Sequence, residues 1–365
     1  MIITALDLDN FRNYEKLHIT PDPGINIIYG ENAQGKTNLL EAVCLMSQGR
    51  SHRGARDKEM IRFGSEEAHL KMQVETGGSE IRVDMHLKSW KNKGIAVNLV
   101  PIRKTADFLG MVHSVLFSPE DLQIVKEGPS ERRRFIDNEL CLLDKIYLNE
   151  YIQYRKALEQ RNRLLKDIVY EPSLMKTLDV WDEQLIRFGR DMIIRREDFI
   201  KELHDITLPI HYKLSGEREE LELFYEPDIE AENFEKKLYE SRERDLKTRT
   251  TNVGPHRDDM SFMVKDEHKI DARIYGSQGQ QRTCALSLKL AEISLVEKVT
   301  GEKPVLLLDD VLSELDSGRQ KYLLEGLNDI QTFITCTGLD EFIDKHLEDA
   351  KTYFVSQGMI QENAS

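Results

Sequence analysis

The sequence predicts an α/β fold with mixed sheets, interrupted by an inserted α-helical hairpin arm. Three observations predict it. The glycine-rich stretch Gly30-Glu31-Asn32-Ala33-Gln34-Gly35-Lys36-Thr37 follows the apolar run from Ile25 to Tyr29 and opens a helical pattern. A continuous apolar segment, Val305 to Leu308, ends in the paired carboxylates Asp309 and Asp310. Between these two, residues 130 to about 203, ahead of Pro209, keep helical spacing over most of their length. With 365 residues there is material for one large or two ordinary domains.

In chain order, Met1 to Leu8 alternates as a strand, and Phe11-Arg12-Asn13-Tyr14 forms a turn. Arg12 is read either as a cation reaching a phosphate or base, or as a solvated turn residue. The loop from Gly30 to Thr37 fits the phosphate-loop template at every fixed position. Backbone N–H groups at a helix N-terminus meet a polyphosphate with donors and the positive end of the helix dipole. Gly30 and Gly35 permit that path, Lys36 reaches the β- and γ-phosphates, and the Thr37 hydroxyl ligates Mg²⁺. Leu39, Leu40, Val43, Cys44 and Met46 continue the helix towards a C-terminal cap at Gly49.

Arg50, Arg53, Arg56, Lys58 and Arg62 then concentrate cations in a chain of net charge −14. They suit nucleotide phosphates, DNA phosphates or a solvated loop. Leu70, Met72 and Val74, the Gly77-Gly78 turn, and Ile81, Val83, Met85 and Leu87 read as an antiparallel hairpin, with Ile95 to Leu99 as a third strand. Ser118-Pro119-Glu120-Asp121 carries the signals of a helix start.

Two helical runs follow, one to about Ile168 and one from Leu174 towards Leu203, separated by Glu171-Pro172-Ser173. An arm of about 35 to 40 residues spans roughly 55 Å. Leu221, Leu223 and Tyr225 suggest a strand, Ile229 to Leu246 a charged helix, and Met260 to Val264 a strand back in the first domain. The turn Gly254-Pro255-His256-Arg257-Asp258-Asp259 is open between a structural role and one near nucleotide or DNA.

The strand ending at Asp309 and Asp310 has the form of a Walker B strand, with Asp309 holding the Mg²⁺ water shell and Asp310 placed as a base or water-orienting carboxylate. Ser277-Gln278-Gly279-Gln280 precedes a helix about 30 residues earlier and has the S-x-G-Q form of an ABC signature. On these motifs the chain resembles the RecF family of bacterial recombination-repair ATPases, in the SMC-like branch of the ABC superfamily. The resemblance extends over Asn10 to Tyr14, Phe117 to Leu122, Glu131 to Phe135 and Gly254 to Asp259.

The resemblance implies an ABC-type ATPase head in two parts, residues 1–117 and 249–365, around a helical arm (lobe II) at 118–248. It implies that Arg12, Gly30, Asn32, Gly35, Lys36, Thr37 and Asn38 bind ATP, with Ser277, Gly279 and Gln280 contacting the nucleotide of a second protomer. ATP then joins a homodimer, with Ser313 to Asp316 as the D-loop. Glu120 occupies the Q-loop position and joins Asp310 as a catalytic candidate. Asp310 stands where the superfamily has glutamate, and Phe333 to Thr337 ends without a switch histidine, so slow hydrolysis is expected. Implied partners are double-stranded or gapped DNA and RecR, with RecO and RecA in the pathway; Arg50, Arg53 and Arg56 are the DNA-binding candidates.

Composition sets the outer bounds. No apolar run approaches membrane-spanning length, and Asp7 and Asp9 argue against a leader, so a cytoplasmic location with no membrane partner is expected. Cys44, Cys141, Cys284 and Cys336 stand apart and read as buried thiols. The acidic balance means that DNA binding must come from local basic patches. Two other readings use the same phosphate loop: a membrane-transporter ATPase subunit, which leaves the helical arm unexplained, and a small-molecule kinase, which leaves the signature unexplained.

Overall fold

The computed structural model describes residues 1–327, 329–338 and 350–363. The chain forms two compact units, one from residues 1–121 and 292–365, the other from 122–291.

In the first unit, β1 (Ile2–Phe11), β2 (Tyr14–Ile19), β3 (Ile25–Tyr29) and α1 (Lys36–Gln48) come first. The strands β4 (Glu67–Thr76), β5 (Ser79–Lys88), β6 (Lys91–Val97) and β7 (Val100–Ile102) follow, then the short α2 (Thr105–Phe108) and β8 (Ser114–Phe117). An antiparallel sheet has the order β2-β1-β4-β5-β6-β7. Its inward row, Leu6, Leu8, Leu70, Met72, Val83 and Met85, comes from alternation along the strands, interrupted in β1 by an irregularity between Ile3 and Ala5.

The second unit holds α3 (Leu122–Lys126), α4 (Pro129–Leu143), α5 (Lys145–Asp167), α6 (Leu178–Leu214), β9 (Glu220–Glu226), α7 (Phe234–Glu240), α8 (Arg242–Thr248), β10 (Asp259–Lys265), β11 (Lys269–Asp271) and α9 (Ala272–Tyr275). Helix α10 (Gln278–Thr300) begins there and continues into the first unit at Glu292. The chain then adds β12 (Val305–Asp309), α11 (Ser317–Glu325), β13 (Thr332–Cys336), β14 (Lys351–Ser356) and β15 (Met359–Asn363) to the first unit.

A second sheet of the first unit runs β15-β14-β3-β13-β12-β8, parallel except for the edge strand β15. Parallel strands covered on both faces are apolar without alternation. All five residues of β12 are accordingly buried. Helix α1 is buried on almost every side, from Leu39 through Ser47, and shares one core with residues of both sheets, Leu8, Met72, Leu307 and Phe333 among them. Its apolar residues go all the way round, as a helix enclosed on every side requires.

Four expectations need correction in the second unit. The first helical run is broken at Asp144, whose extended backbone and side chain cap α5 by accepting from the N–H groups of Ile146 and Tyr147. The charged helix expected from Ile229 to Leu246 is likewise two helices, α7 and α8, parted at Ser241. Helix α6 does not stop before Pro209 but reaches Leu214, because the turn beyond the proline buries His211 and Leu214. Strand β10 does not join a sheet of the first unit: it pairs with β9 over its whole length, from Asp259 opposite Glu226 to Lys265 opposite Glu220. The second division of the chain therefore falls within α10, at residue 292, rather than after residue 248.

Buried ion pairs lock this unit. Arg161 on α5 donates to Asp182 on α6 at 2.5 Å, and to Asp245 on α8 at 2.7 Å. Arg196 on α6 reaches Asp137 at 2.7 Å and Asp258 at 2.7 Å. Arg132 forks onto Asp259 at 2.5 and 2.9 Å, and Arg133 donates to the Asp258 carbonyl at 2.6 Å. The Arg132-Arg133 pair is thus committed to Asp259 and to the Asp258 carbonyl. The Gly254 to Asp259 turn has a structural role here, since Asp258 is fully buried and also bonded by Tyr225 and by the N–H of Asp228.

Candidate functional site

The phosphate loop lies in the first unit, between the end of β3 and the start of α1. Gly30 has φ 151° and Gly35 φ 120°, outside the range of L side chains. A Cβ on Gly30 would also run into the Val355 carbonyl, and one on Gly35 would stand 2.5 Å from the Asn13 amide. The rest of the sheet end holds the loop in place. Asn13 donates to the Gln34 carbonyl at 2.6 Å and accepts from Asn38 at 2.8 Å; the Tyr14 hydroxyl donates to the Gly35 carbonyl at 2.9 Å. From the β14–β15 turn, the Gln357 N–H donates to Gln34 Oε1 at 2.7 Å. Asn32 is exposed at the tip of the loop.

Lys36 folds over the loop, its Nζ donating to the Gly30 carbonyl at 2.7 Å and the Glu31 carbonyl at 3.0 Å. A buried ammonium among peptide oxygens, 4% exposed, exchanges these partners readily for phosphate oxygens, which carry full charge. Beside it the Thr37 hydroxyl donates to Asp309 Oδ1 at 2.9 Å. The Thr335 hydroxyl of β13 donates to that same oxygen at 2.8 Å and accepts from the Asp310 N–H at 3.0 Å. Thr37 and Asp309 thus converge as oxygen donors of the kind Mg²⁺ takes. Asp310 sits at the strand end with φ 53°, turned into the left-handed region that Asp tolerates better than most residues.

Arg12 is drawn into the wall of the site. Its Nε and one terminal nitrogen fork onto Glu41 of α1 at 2.7 Å each, and its other terminal nitrogen donates to the Glu59 carbonyl at 2.8 Å. Glu41 is fully buried and also accepts from the Ser51 hydroxyl at 2.5 Å. Burial pushes the Glu41 carboxyl up, but hydrogen bonds from Arg12 and Ser51 outweigh it and hold the group below the usual carboxylate range. Burial pushes the His52 imidazole down, against the pull of Glu41, Asp309 and Glu120. Sequence reasoning missed Glu41, His52 and Thr335. The cation-rich stretch was seen, yet nothing in its spacing told which polar residues turn inward.

Glu120 is exposed in a single 3-10 turn, held by Asp121, which accepts from the Ser118 N–H at 2.7 Å. Arg50, Arg53 and Arg56 are exposed on the segment after α1. The signature residues lie in the second unit. There Ser277 and Gln280 cap α10 reciprocally: Ser277 Oγ accepts from the Gln280 N–H at 3.2 Å, and Gln280 Oε1 accepts from the Ser277 N–H at 2.9 Å. Ser277 and Gly279 are exposed, as are Ile274 and Tyr275 just before them. Three of the four cysteines are buried and Cys336 partly so. Among the described residues, no helix is long and apolar enough to cross a membrane.

Comparison with known proteins bears on this geometry. The AAA domain family matches residues 5–253. The chain is 57% identical over 361 residues to the DNA replication and repair protein RecF of Agathobacter rectalis, covering 99% of both. A solved structure of the recombination mediator protein RecF-ATP in the RecFOR pathway superposes with a TM-score of 0.92 at 38% identity, covering 100% of this chain and 98% of that one. The Smc head domain of Pyrococcus furiosus, at 16% identity and a TM-score of 0.58, shares the fold.

Proposed function

Since the chain belongs to the RecF family of DNA replication and repair proteins, we propose that it is an ATP-gated DNA-binding homodimer whose slow hydrolysis acts as a timer. The observation that carries this reading is the state of Gly279. A Cβ there would meet nothing of its own chain closer than Ser277 Oγ at 3.8 Å, whereas one on Gly276 would clash with the Ala272 carbonyl. The fold explains Gly276, while the surface at Gly279 is open to a partner. There a γ-phosphate held on Lys36 of a second protomer would meet the Ser277 hydroxyl and the N–H groups at the start of α10. The exposed Ile274 and Tyr275, 58% and 72% accessible, supply apolar surface beside it.

Within each protomer, Lys36 and the loop N–H groups bind the β- and γ-phosphates, with Asn32 and Asn38 alongside. Thr37 and Asp309 would hold Mg²⁺, which neutralises charge between phosphate oxygens. Asp310 orients the attacking water, and Glu120 stands by as the Q-loop residue. Arg12 acts on ATP through the wall it forms with Glu41. Dimerisation brings two copies of the Arg50 to Arg56 segment to duplex or gapped DNA, and RecR engages the DNA-bound state on the way to RecA loading. The transporter reading is not taken further, because the relatives that span the whole chain are DNA replication and repair proteins.

The test is subunit mixing. Ser277→Arg and Lys36→Met should each fail to dimerise with ATP, and their mixture should recover about one working site per dimer, seen by sizing and by ATP turnover. No recovery above the separate variants would remove the trans-acting signature.

A further inference from the structure

The outer face of the antiparallel sheet carries a cluster of donors that the nucleotide site does not use. Alternation decides which residues stand there. Strand β4 turns Ala68, Leu70 and Met72 into the core, leaving Glu67, His69 and Lys71 outside; β5 buries Met85 and Leu87, leaving His86 and Lys88 outside. The register sets His69 directly opposite His86.

The two imidazoles stack with centroids 3.8 Å apart and planes 26° from parallel. Both present Nε2 to one carboxylate oxygen: Glu67 Oε2 lies 2.5 Å from His86 Nε2 and 3.7 Å from His69 Nε2. All three donor atoms fall within 4.8 Å of one another, and among the described residues no other group of three His, Cys, Asp or Glu donors converges in this way. A surface depression of about 620 Å³ opens in front, with Asp7, Asp9 and Asp84 in its lining.

We propose that Glu67, His69 and His86 form a binding site for a divalent transition metal of the Zn²⁺ class, clamping β4 to β5 on the sheet's outer face. Two imidazole nitrogens and one carboxylate oxygen are a donor set that Zn²⁺ accepts, with water in the fourth position. Mg²⁺, which prefers oxygen throughout, is disfavoured. Metal–donor bonds of about 2.0–2.2 Å put tetrahedral donors about 3.3 Å apart. The Glu67–His86 contact must then open and the Glu67–His69 contact close, each by less than about 1 Å. One imidazole must also swing out of the stack, so that both Nε2 lone pairs aim at a single point. Lys88, 3.6 Å from Glu67 Oε1, holds the other carboxylate oxygen and leaves Oε2 to the metal.

The experiment is calorimetric titration of the full-length, chelator-stripped protein with Zn²⁺, and separately with Mg²⁺ in the absence of nucleotide. One Zn²⁺ per chain is expected, with affinity lowered at least tenfold in the double variant His69→Gln, His86→Gln, and with ATP binding unchanged. Cu²⁺ as a spectroscopic stand-in should show coupling to two imidazole nitrogens in the parent and to one in His86→Asn, a readout that does not depend on the double variant folding. No stoichiometric Zn²⁺ uptake, uptake equal in parent and double variant, Mg²⁺ competing on equal terms, or a copper spectrum unchanged in His86→Asn would each overturn the site.

Discussion

The Thr37 hydroxyl and the Asp309 carboxylate, 272 positions apart in sequence, meet at 2.9 Å. The first residue lies in the opening turn of the helix after the phosphate loop and the second closes a buried parallel strand, so their meeting follows from the sheet order β3-β13-β12. Thr335, from the strand between, shares the same carboxylate oxygen. A metal ion shared by Thr37 and Asp309 would take the place of the hydrogen bond between them.

Lys36→Met should weaken ATP binding by roughly 10- to 100-fold, the loss expected when a charge-assisted hydrogen bond disappears. The fold should survive, because methionine keeps most of the stem's volume and the ammonium bonds only loop carbonyls. Fluorescence or calorimetric titration with ATP checks this. Unchanged affinity would mean that Lys36 stays on Gly30 and Glu31 when nucleotide is present.

Asp310→Asn should bind ATP as the parent does yet hydrolyse it about 10²- to 10⁴-fold more slowly, the range for a positioned general base. Asparagine suits this position because it also tolerates the left-handed backbone found there, φ 53°. Single-turnover hydrolysis and sizing with ATP are the measurements, and accumulated dimer is the expected result. Hydrolysis at the parental rate would move the base elsewhere, with Glu120 and His52 next to be tested.

The motifs that could be read directly were those written in contiguous residues: the loop from Gly30 to Thr37, the strand to Asp309, the helical start at Pro119 and the S-x-G-Q turn. Each is a local structure whose geometry a few neighbours dictate. What stayed hidden depends on partners distant in sequence. Asn13 and Gln357 grip Gln34 from two other turns, and Arg12 meets Glu41 because β1 ends beside α1. Strand β10 has the alternation of any half-buried strand, so its pattern could not say that its neighbour is β9. The breaks at Asp144 and Ser241 escaped notice because apolar spacing runs on across them, while the residues that stop the helices are polar and common.

Arg161→Leu should destabilise the second unit by about 3–5 kcal/mol, since it strips Asp245 of its buried cation. Asp182 fares better, because Arg242 also reaches it at 2.6 Å. Arg161→Leu combined with Asp245→Asn should therefore recover part of the loss, as removing both charges leaves no unpaired ion. Urea denaturation followed by tryptophan fluorescence reports this, Trp181 being on α6 next to Asp182. An additive double variant would show that the pair contributes little.

Stability should fall between pH 6.5 and pH 4 because of His256. Its Nε2 faces the Thr251 carbonyl at 3.1 Å, so that nitrogen carries the proton, and Nδ1 accepts from the Tyr154 hydroxyl at 2.7 Å. Burial pushes the imidazole down to about 4 from an ordinary 6.5. The unfolded chain thus takes up a proton in this window that the folded chain refuses. The contribution is complete above pH 6.5 and is lost as pH falls to 4, at most about 3 kcal/mol. Subtracting the stability profile of His256→Asn from that of the parent isolates the effect; a flat difference across the window would show that the folded protein accommodates the charged ring.

DNA binding should be confined mainly to the ATP-bound state and should weaken steeply with salt. The chain carries 14 net negative charges, so a single protomer offers duplex DNA a small basic segment set in repulsive potential. Arg53 and Arg56 are exposed on that segment, whereas Arg132 and Arg133 are committed to Asp259 and to the Asp258 carbonyl. An ATP-joined dimer doubles the exposed set. Log K against log[salt] has a slope of about −0.9 per phosphate neutralised, so doubling the patch steepens the slope by about 2 if each copy places two arginines on phosphates. Arg53→Ala with Arg56→Ala should flatten the slope of the ATP-bound state by about twice that, about 4, because both copies lose two arginines, while Arg132→Ala should lower stability and leave the slope alone. Duplex affinity measured from low to physiological salt, with and without ATP, decides the matter. Equal slopes in the two conditions would show that nucleotide does not assemble the DNA surface.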